Sequence, residues 1–436
     1  MSIPPEPELQ DTTGCEEYRA LSRRQFVGGA GTAFAAAALH PAWLPKVVLA
    51  STYVSTRDVM VSVFQRGGAD GMSVCVPFGD PNYYTLRPTI AIPRPDATTP
   101  ATRGIALDNF FAFPQAMAAL VPAYLNADLL VLHAIGQTNN SRSHFDAQRY
   151  MEVGKPADPS LVTGWLGRHL ASAPPINPAA PLRGIGISAG LQKTLVGGPK
   201  TLPISSPSTF SIGGSTTTQA ARVAALQSDY AVADEPLRSS ALDAVNTLNL
   251  LKSVNFSGYV PANGAVYPTS SFGNALKAVA VLIKADIGLE AAQVDVGGWD
   301  THSAQDPVAG SMSVTMRDFA NALGAFHADV IAPAMIGVTV ISMSEFGRNA
   351  KENGSAGTDH GRASAMLAIG KGIAGGRVVT NGWPGLAAAN LENGQDLKVT
   401  LDYRDVLAEI VQKRLGNTNL DYIFPTWTPT FRGVTR

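Results

Sequence analysis

The sequence predicts an α/β protein with a central, mostly parallel β-sheet flanked by helices, and three observations lead there. Apolar, β-branched runs repeatedly end in glycine-rich or polar exits. Amphipathic stretches at helical spacing lie between those runs. Hydrophobic residues make up 45% of the 436 residues, beside 42 Gly and 30 Pro, which suits a loop-rich globular chain with a large core.

The strands come first. "DVMVSVFQRGGADG" runs from a buried strand into a tight turn, and 127–136, 291–302, 338–348 and 364–379 repeat the scheme. Helices are predicted over 239–254, 273–286, 316–331 and 403–416, where apolar residues recur every three to four positions. Strands alternating with helices imply parallel pairing, with ligands gathered at the strands' carboxyl ends. The stretch 172–235, rich in Pro, Ser, Thr and Gly, reads as an irregular excursion from one domain spanning 51–436.

Ahead of that domain, "LSRRQFVGGAGTAFAAAAL" pairs Arg23 with Arg24 before a mildly apolar, Ala-rich stretch. This resembles a twin-arginine export signal over 1–50, with Ala50 a small residue suited to cleavage. A periplasmic or extracellular location follows, with the twin-arginine translocase as a transient partner. The apolar part is short and broken by Gly and Pro41, so no stable membrane span is expected in the mature chain. Processing would remove Cys15 and leave Cys75 alone, so stability must come from packing. With 33 Lys+Arg against 34 Asp+Glu, no broad field suggests nucleic acid as a partner.

The chemistry-bearing residues cluster at strand exits. Asp70 lies in "RGGADG", Asp300 and His302 in "GGWDTH", Glu345 in "SEFGR", and Asp359 with His360 in "GTDHG". Acids and histidines converging on one sheet edge suit one or two divalent cations, whether zinc, manganese, calcium or magnesium. Taken singly, each of these stretches also fits an ordinary surface turn. In "GTDHG" the glycines are expected to bend the backbone so that both side chains reach one point. "NNSRSHFDAQ" places Ser141, Arg142 and Ser143 at the start of a helix: a hydroxyl for nucleophilic attack and a guanidinium for anionic oxygens, or simply a helix cap. His144, next in line, could orient a substrate, whereas His133, His169 and His327 read as structural.

These blocks, in this order behind the twin-arginine pattern, resemble the bacterial domain-of-unknown-function 1501 family. That family is grouped with the alkaline phosphatase-like superfamily, which includes sulfatases. The resemblance implies an alkaline phosphatase-like fold with metal ligands and a Ser, Thr or modified Cys nucleophile at the sheet's carboxyl edge. By order, Asp70 would match the first metal-binding aspartate and Ser141 or Ser143 the nucleophile. Asp300 with His302 and Asp359 with His360 would supply two Asp-His pairs. No histidine follows His360, so Glu345 or Asp402 would complete one site, or a single ion would be held. No C/S-x-P-S-R motif is present, which argues against a formylglycine sulfatase.

The function expected from the sequence is an exported metal-dependent hydrolase of phosphate, or secondarily sulfate, esters. Its substrate would be a phosphorylated or sulfated small molecule or glycan, with Arg348 joining Arg142 on the transferred group. The alternative is a non-catalytic cell-surface or matrix protein whose metal is structural.

Overall fold

The computed structural model describes residues 57–436. The export signal read at 1–50 lies outside them. The strands are β1 (Val59–Gln65), β2 (Ile105–Ala106), β3 (Ala112–Phe113), β4 (Leu129–Gly136), β5 (Gly184–Gly186), β6 (Thr201–Pro203), β7 (Ala291–Val296), β8 (Val338–Met343), β9 (Ser364–Ile369), β10 (Arg377–Val379) and β11 (Leu401–Asp402). The helices that matter here are α1 (Gly71–Val74), α2 (His144–Val153), α3 (Trp165–Ser172), α4 (Gln219–Ala231), α5 (Leu237–Ser253), α6 (Ser271–Lys284), α7 (Ser311–Phe326) and α8 (Tyr403–Lys413).

Among the described residues, one nine-stranded sheet runs β10-β4-β9-β8-β1-β7-β5-β6, with β11 also on β4. β1 is central and parallel to β7 and β8, whereas β9 runs antiparallel to both β4 and β8. The sheet is therefore mixed but mostly parallel.

All seven residues of β1 are buried, because both faces of the sheet are covered. Val59, Val61 and Val63 pack into one core with Phe272 and Leu276 of α6 and Phe319 of α7. Met60 and Phe64, pointing the other way, join Met151 of α2, Trp165 of α3 and Val406 and Ile410 of α8. The period of two along one strand thus feeds two separate hydrophobic layers.

The stretch expected to be an irregular excursion contributes more than loops. It supplies β5, the edge strand β6 and the first helix of an α-helical hairpin, α4 packing on α5 around Val223, Val245 and Leu248. Three-residue strands and an alanine-rich, weakly apolar helix leave little periodicity for sequence reading to detect. No helix of the described residues is long and apolar enough to cross a membrane.

One expected metal ligand is part of this framework instead. Asp70 is fully buried and caps α1, accepting from the Met72 amide at 3.3 Å and from the Ser73 hydroxyl at 2.7 Å. Arg87 grips both its oxygens, and Gln305 Nε2 donates to Oδ2 at 2.7 Å. Burial would raise this carboxyl's pKa, but the Arg87 charge and the hydrogen bonds hold it below the ordinary value. Both oxygens are spent on protein donors, so Asp70 is corrected from ligand to structural anion.

Arg87→Met should leave that carboxylate buried without its counter-charge and cost roughly 3–5 kcal/mol of stability. Urea denaturation of variant and parent measures the difference.

Candidate functional site

The sheet's carboxyl edge collects the polar exits. β1 leaves through Gly67 and Gly68, β7 through Asp300 and His302, and β8 through Glu345 and Arg348. β4 leads through Ser141, Arg142 and Ser143 into α2, whose first residue is His144. Asp359 and His360 precede β9, and because β9 is antiparallel its start lies at this same edge.

Three histidines and one aspartate meet there. His302 Nε2 lies 3.0 Å and His360 Nε2 3.4 Å from Asp300 Oδ1, and His144 Nε2 lies 3.5 Å from Oδ2. His302 Nε2 and His360 Nε2 are 2.9 Å apart. His144, Asp300 and His360 form a group whose ligand atoms all lie within 4.8 Å of one another.

Each ring is held from behind. His144 Nδ1 is 2.7 Å from Glu345 Oε1, His302 Nδ1 is 3.0 Å from Asp359 Oδ1, and His360 Nδ1 is 2.9 Å from the Arg142 carbonyl. Carbonyls and ionised carboxylates only accept, so every Nδ1 donates and every Nε2 turns inward. Phe346 packs against the rings of both His144 and His360 and gives the cluster an apolar wall.

The electrostatics follow from this arrangement. Burial would raise the Asp300 pKa, but hydrogen bonds from His144, His302 and His360 and the Arg348 charge hold it far below the ordinary carboxylate range. Burial alone would lower His144, yet its bonds to Asp300 and Glu345 push it up to about 9. The bond to Asp300 raises His302 as well. Two inward nitrogens 2.9 Å apart repel unless a proton or a cation lies between them.

A family model described as "Protein of unknown function (DUF1501)" matches residues 160–419, more than half of the chain. The chain belongs to the DUF1501 family. No curated protein matches it. In this DUF1501 chain the match takes in Asp300, His302, Glu345, Arg348, Asp359 and His360 and begins after Ser141, Arg142, Ser143 and His144.

The structure reassigns several residues expected to carry chemistry. Asp300, His302 and His360 converge. Glu345 does not join them as a ligand: it is fully buried, and its oxygens accept from His144, Gln148, the Gly67 amide and Ser344. Asp359 likewise stands behind His302 instead of facing the centre. Asp402 caps α8 and pairs with Arg404.

Arg142 directs its guanidinium to buried Asp396 and presents its carbonyl to His360. The Ser141 hydroxyl accepts the Ser143 amide at 3.3 Å, while Ser143 occupies the N-cap of α2 without a side-chain capping bond. His144, expected to orient a substrate, belongs to the cluster itself. Its signal in the sequence is position alone, the first residue of a helix fed by a strand exit, since no spacing links it to Asp300.

The glycines of "GTDHG" also act differently from expectation. A Cβ on Gly357 would lie 2.3 Å from the His302 carbonyl carbon, and one on Gly361 would lie 2.3 Å from that of Arg348. They permit close backbone approach, and Ala356, at φ 53°, takes the left-handed position of the turn.

Gly361→Ala should therefore push the loop away from Arg348 and destabilise the chain by about 1–3 kcal/mol, read as a lowered urea midpoint. In chelator-treated protein the His144 contribution has a definite sign. Its folded pKa, near 9, exceeds the ordinary 6.5, so the stabilisation is complete below pH 6.5 and lost as pH rises through 9. The stability gap between parent and His144→Gln, followed by denaturation across that range, should shrink accordingly.

Proposed function

We propose that the protein is an exported, metal-dependent hydrolase of phosphate esters, with sulfate esters as the second substrate class. The observation that carries this reading is the convergence of three inward-facing imidazoles and one carboxylate beside a serine at a helix start. The donor set fits a divalent ion, since each imidazole is fixed through Nδ1 and turns Nε2 toward Asp300. Nitrogen donors outnumber oxygen donors, which favours zinc over manganese, calcium or magnesium. His144, Asp300 and His360 would hold the ion, with His302 at the outer side.

When bound, such an ion supplies Lewis-acid polarisation of an ester oxygen and lowers the pKa of a neighbouring hydroxyl. The chain supplies the rest. Ser143 directly precedes His144, and its hydroxyl makes no capping bond, which suits it to attack better than Ser141. The N-terminus of the ten-residue α2 favours the anionic group of the substrate. Arg348 is buried with its guanidinium turned to main-chain carbonyls and Asp300, and Arg142 is turned toward Asp396, so the transferred oxygens would depend on the helix end and the ion.

Exposure favours this reading over a structural ion. His144 is sealed, but the side chains of His302 and Asp359 are 39% and 57% exposed, leaving the cluster open on one side. Alkaline phosphatase-like ancestry is part of the proposal, in a one-ion form without Asp70 as ligand.

The test is hydrolysis of 4-nitrophenyl phosphate, bis(4-nitrophenyl) phosphate and 4-nitrophenyl sulfate by protein reloaded with zinc or manganese. Phosphate ester cleavage should appear with metal, vanish with chelator, and fall about a thousandfold or more in Ser143→Ala or His360→Ala. Loaded protein that cleaves none of the three would end the proposal.

A further inference from the structure

We infer that Arg348 is the positioning residue that assembles the cluster, its guanidinium fixing Asp300 and its main chain fixing His360. The inference rests on the reading that the cluster holds an ion.

Arg348 is almost completely buried and spends its side chain on acceptors from three segments. Nε donates to the Gly68 carbonyl at 2.7 Å, and Nη2 also reaches Gly67, joining the exit of β1. Nη2 further donates to the Trp299 carbonyl at 3.1 Å and to Asp300 Oδ1 at 2.6 Å, on the exit of β7. Nη1 donates to the Thr358 carbonyl at 2.9 Å, in the connection to β9. One planar fork therefore ties together three loops that the sheet only brings near one another.

Its backbone does a separate task. Arg348 forms an isolated antiparallel bridge with His360, flanked by bonds from the Asn349 amide to the Asp359 carbonyl and from the Gly361 amide to the Gly347 carbonyl, both at 2.9 Å. The close contact at Gly361 permits that bridge. Two members of the cluster, 60 positions apart in sequence, are thus registered by one residue, which touches neither substrate nor ion.

A side-chain substitution separates the two tasks, since the bridge survives it and the hold on Asp300 does not. Lysine keeps the charge but offers one nitrogen where the guanidinium offers three. Arg348→Lys and Arg348→Gln would be prepared as full chains, freed of metal by chelator and titrated with Co²⁺, with the visible absorption band and the binding isotherm recorded.

The wild type should take up Co²⁺ with a defined band. Each folded variant should bind about 10–100-fold more weakly with an altered band, reporting a displaced ligand. Folded variants with the parental band and affinity would overturn the inference. Variants that stay unfolded with or without Co²⁺ would overturn it too, since the fork would then be a stability element first. A wild type that takes up no Co²⁺ would overturn the ion reading itself, a result distinct from equal uptake by wild type and variant.

Discussion

The reversal of β9 is the constraint on which the candidate site depends. β8 and β9 are neighbours and antiparallel, so the connection between them begins and ends at the carboxyl edge without crossing the sheet. It carries Glu345, Arg348, Asp359 and His360. Had β9 run parallel to β8, its entry would lie at the opposite edge, roughly 20 Å away for a six-residue strand. Asp359 and His360 would then sit far from Asp300. One antiparallel strand in an otherwise parallel sheet thus lets a long loop deliver His360 to the cluster together with the residues that support it.

Buried charge is the second organising principle, and two instances sit where separate segments must be held together. Asp70 receives Arg87, and Gln305 carries its influence onward to the hydroxyls of Thr301 and Thr358. Asp329 does the same at another place, accepting from Tyr259, Tyr267 and the Ala262 amide to pin the segment before α6 against the turn after α7. Such groups are expensive to bury and are tolerated because nearly every lone pair and N–H is matched. An acid in a glycine-rich loop is therefore ambiguous on its face. Asp70 and Asp300 look alike in sequence, and only the identity of the neighbouring donors separates an anchor from a cluster member.

That ambiguity explains what could be read from the chain and what could not. The long buried strands and the amphipathic helices α5 to α8 are visible because periodicity is local. The short strands β5 and β6 at one end of the sheet are not, since three residues carry no period. Asp300, His302 and His360 are recognisable because histidine beside aspartate at a strand exit is an unusual local pattern. His144 is not, because its place depends on the pairing of β4 with β9, a contact remote in sequence. Glu345 and Asp359 are legible as participants but not in role: standing behind a histidine and facing the centre are distinguished only by side-chain direction.

The cluster is graded in exposure, and the gradient bears on what it can do. His144 is sealed by Phe346 and backed by a fully buried carboxylate, whereas His302 is backed by Asp359, the most exposed acid of the set. A ring fixed on a saturated buried carboxylate has one orientation available, and a ring fixed on a solvated one can exchange that partner for water at little cost. The inner wall is therefore preorganised and the outer wall adaptable. A site built only to hold an ion gains nothing from an adaptable side open to solvent. Under the proposed hydrolysis an ester would have to enter and its product leave, and the exposed side at His302 is where that passage would lie.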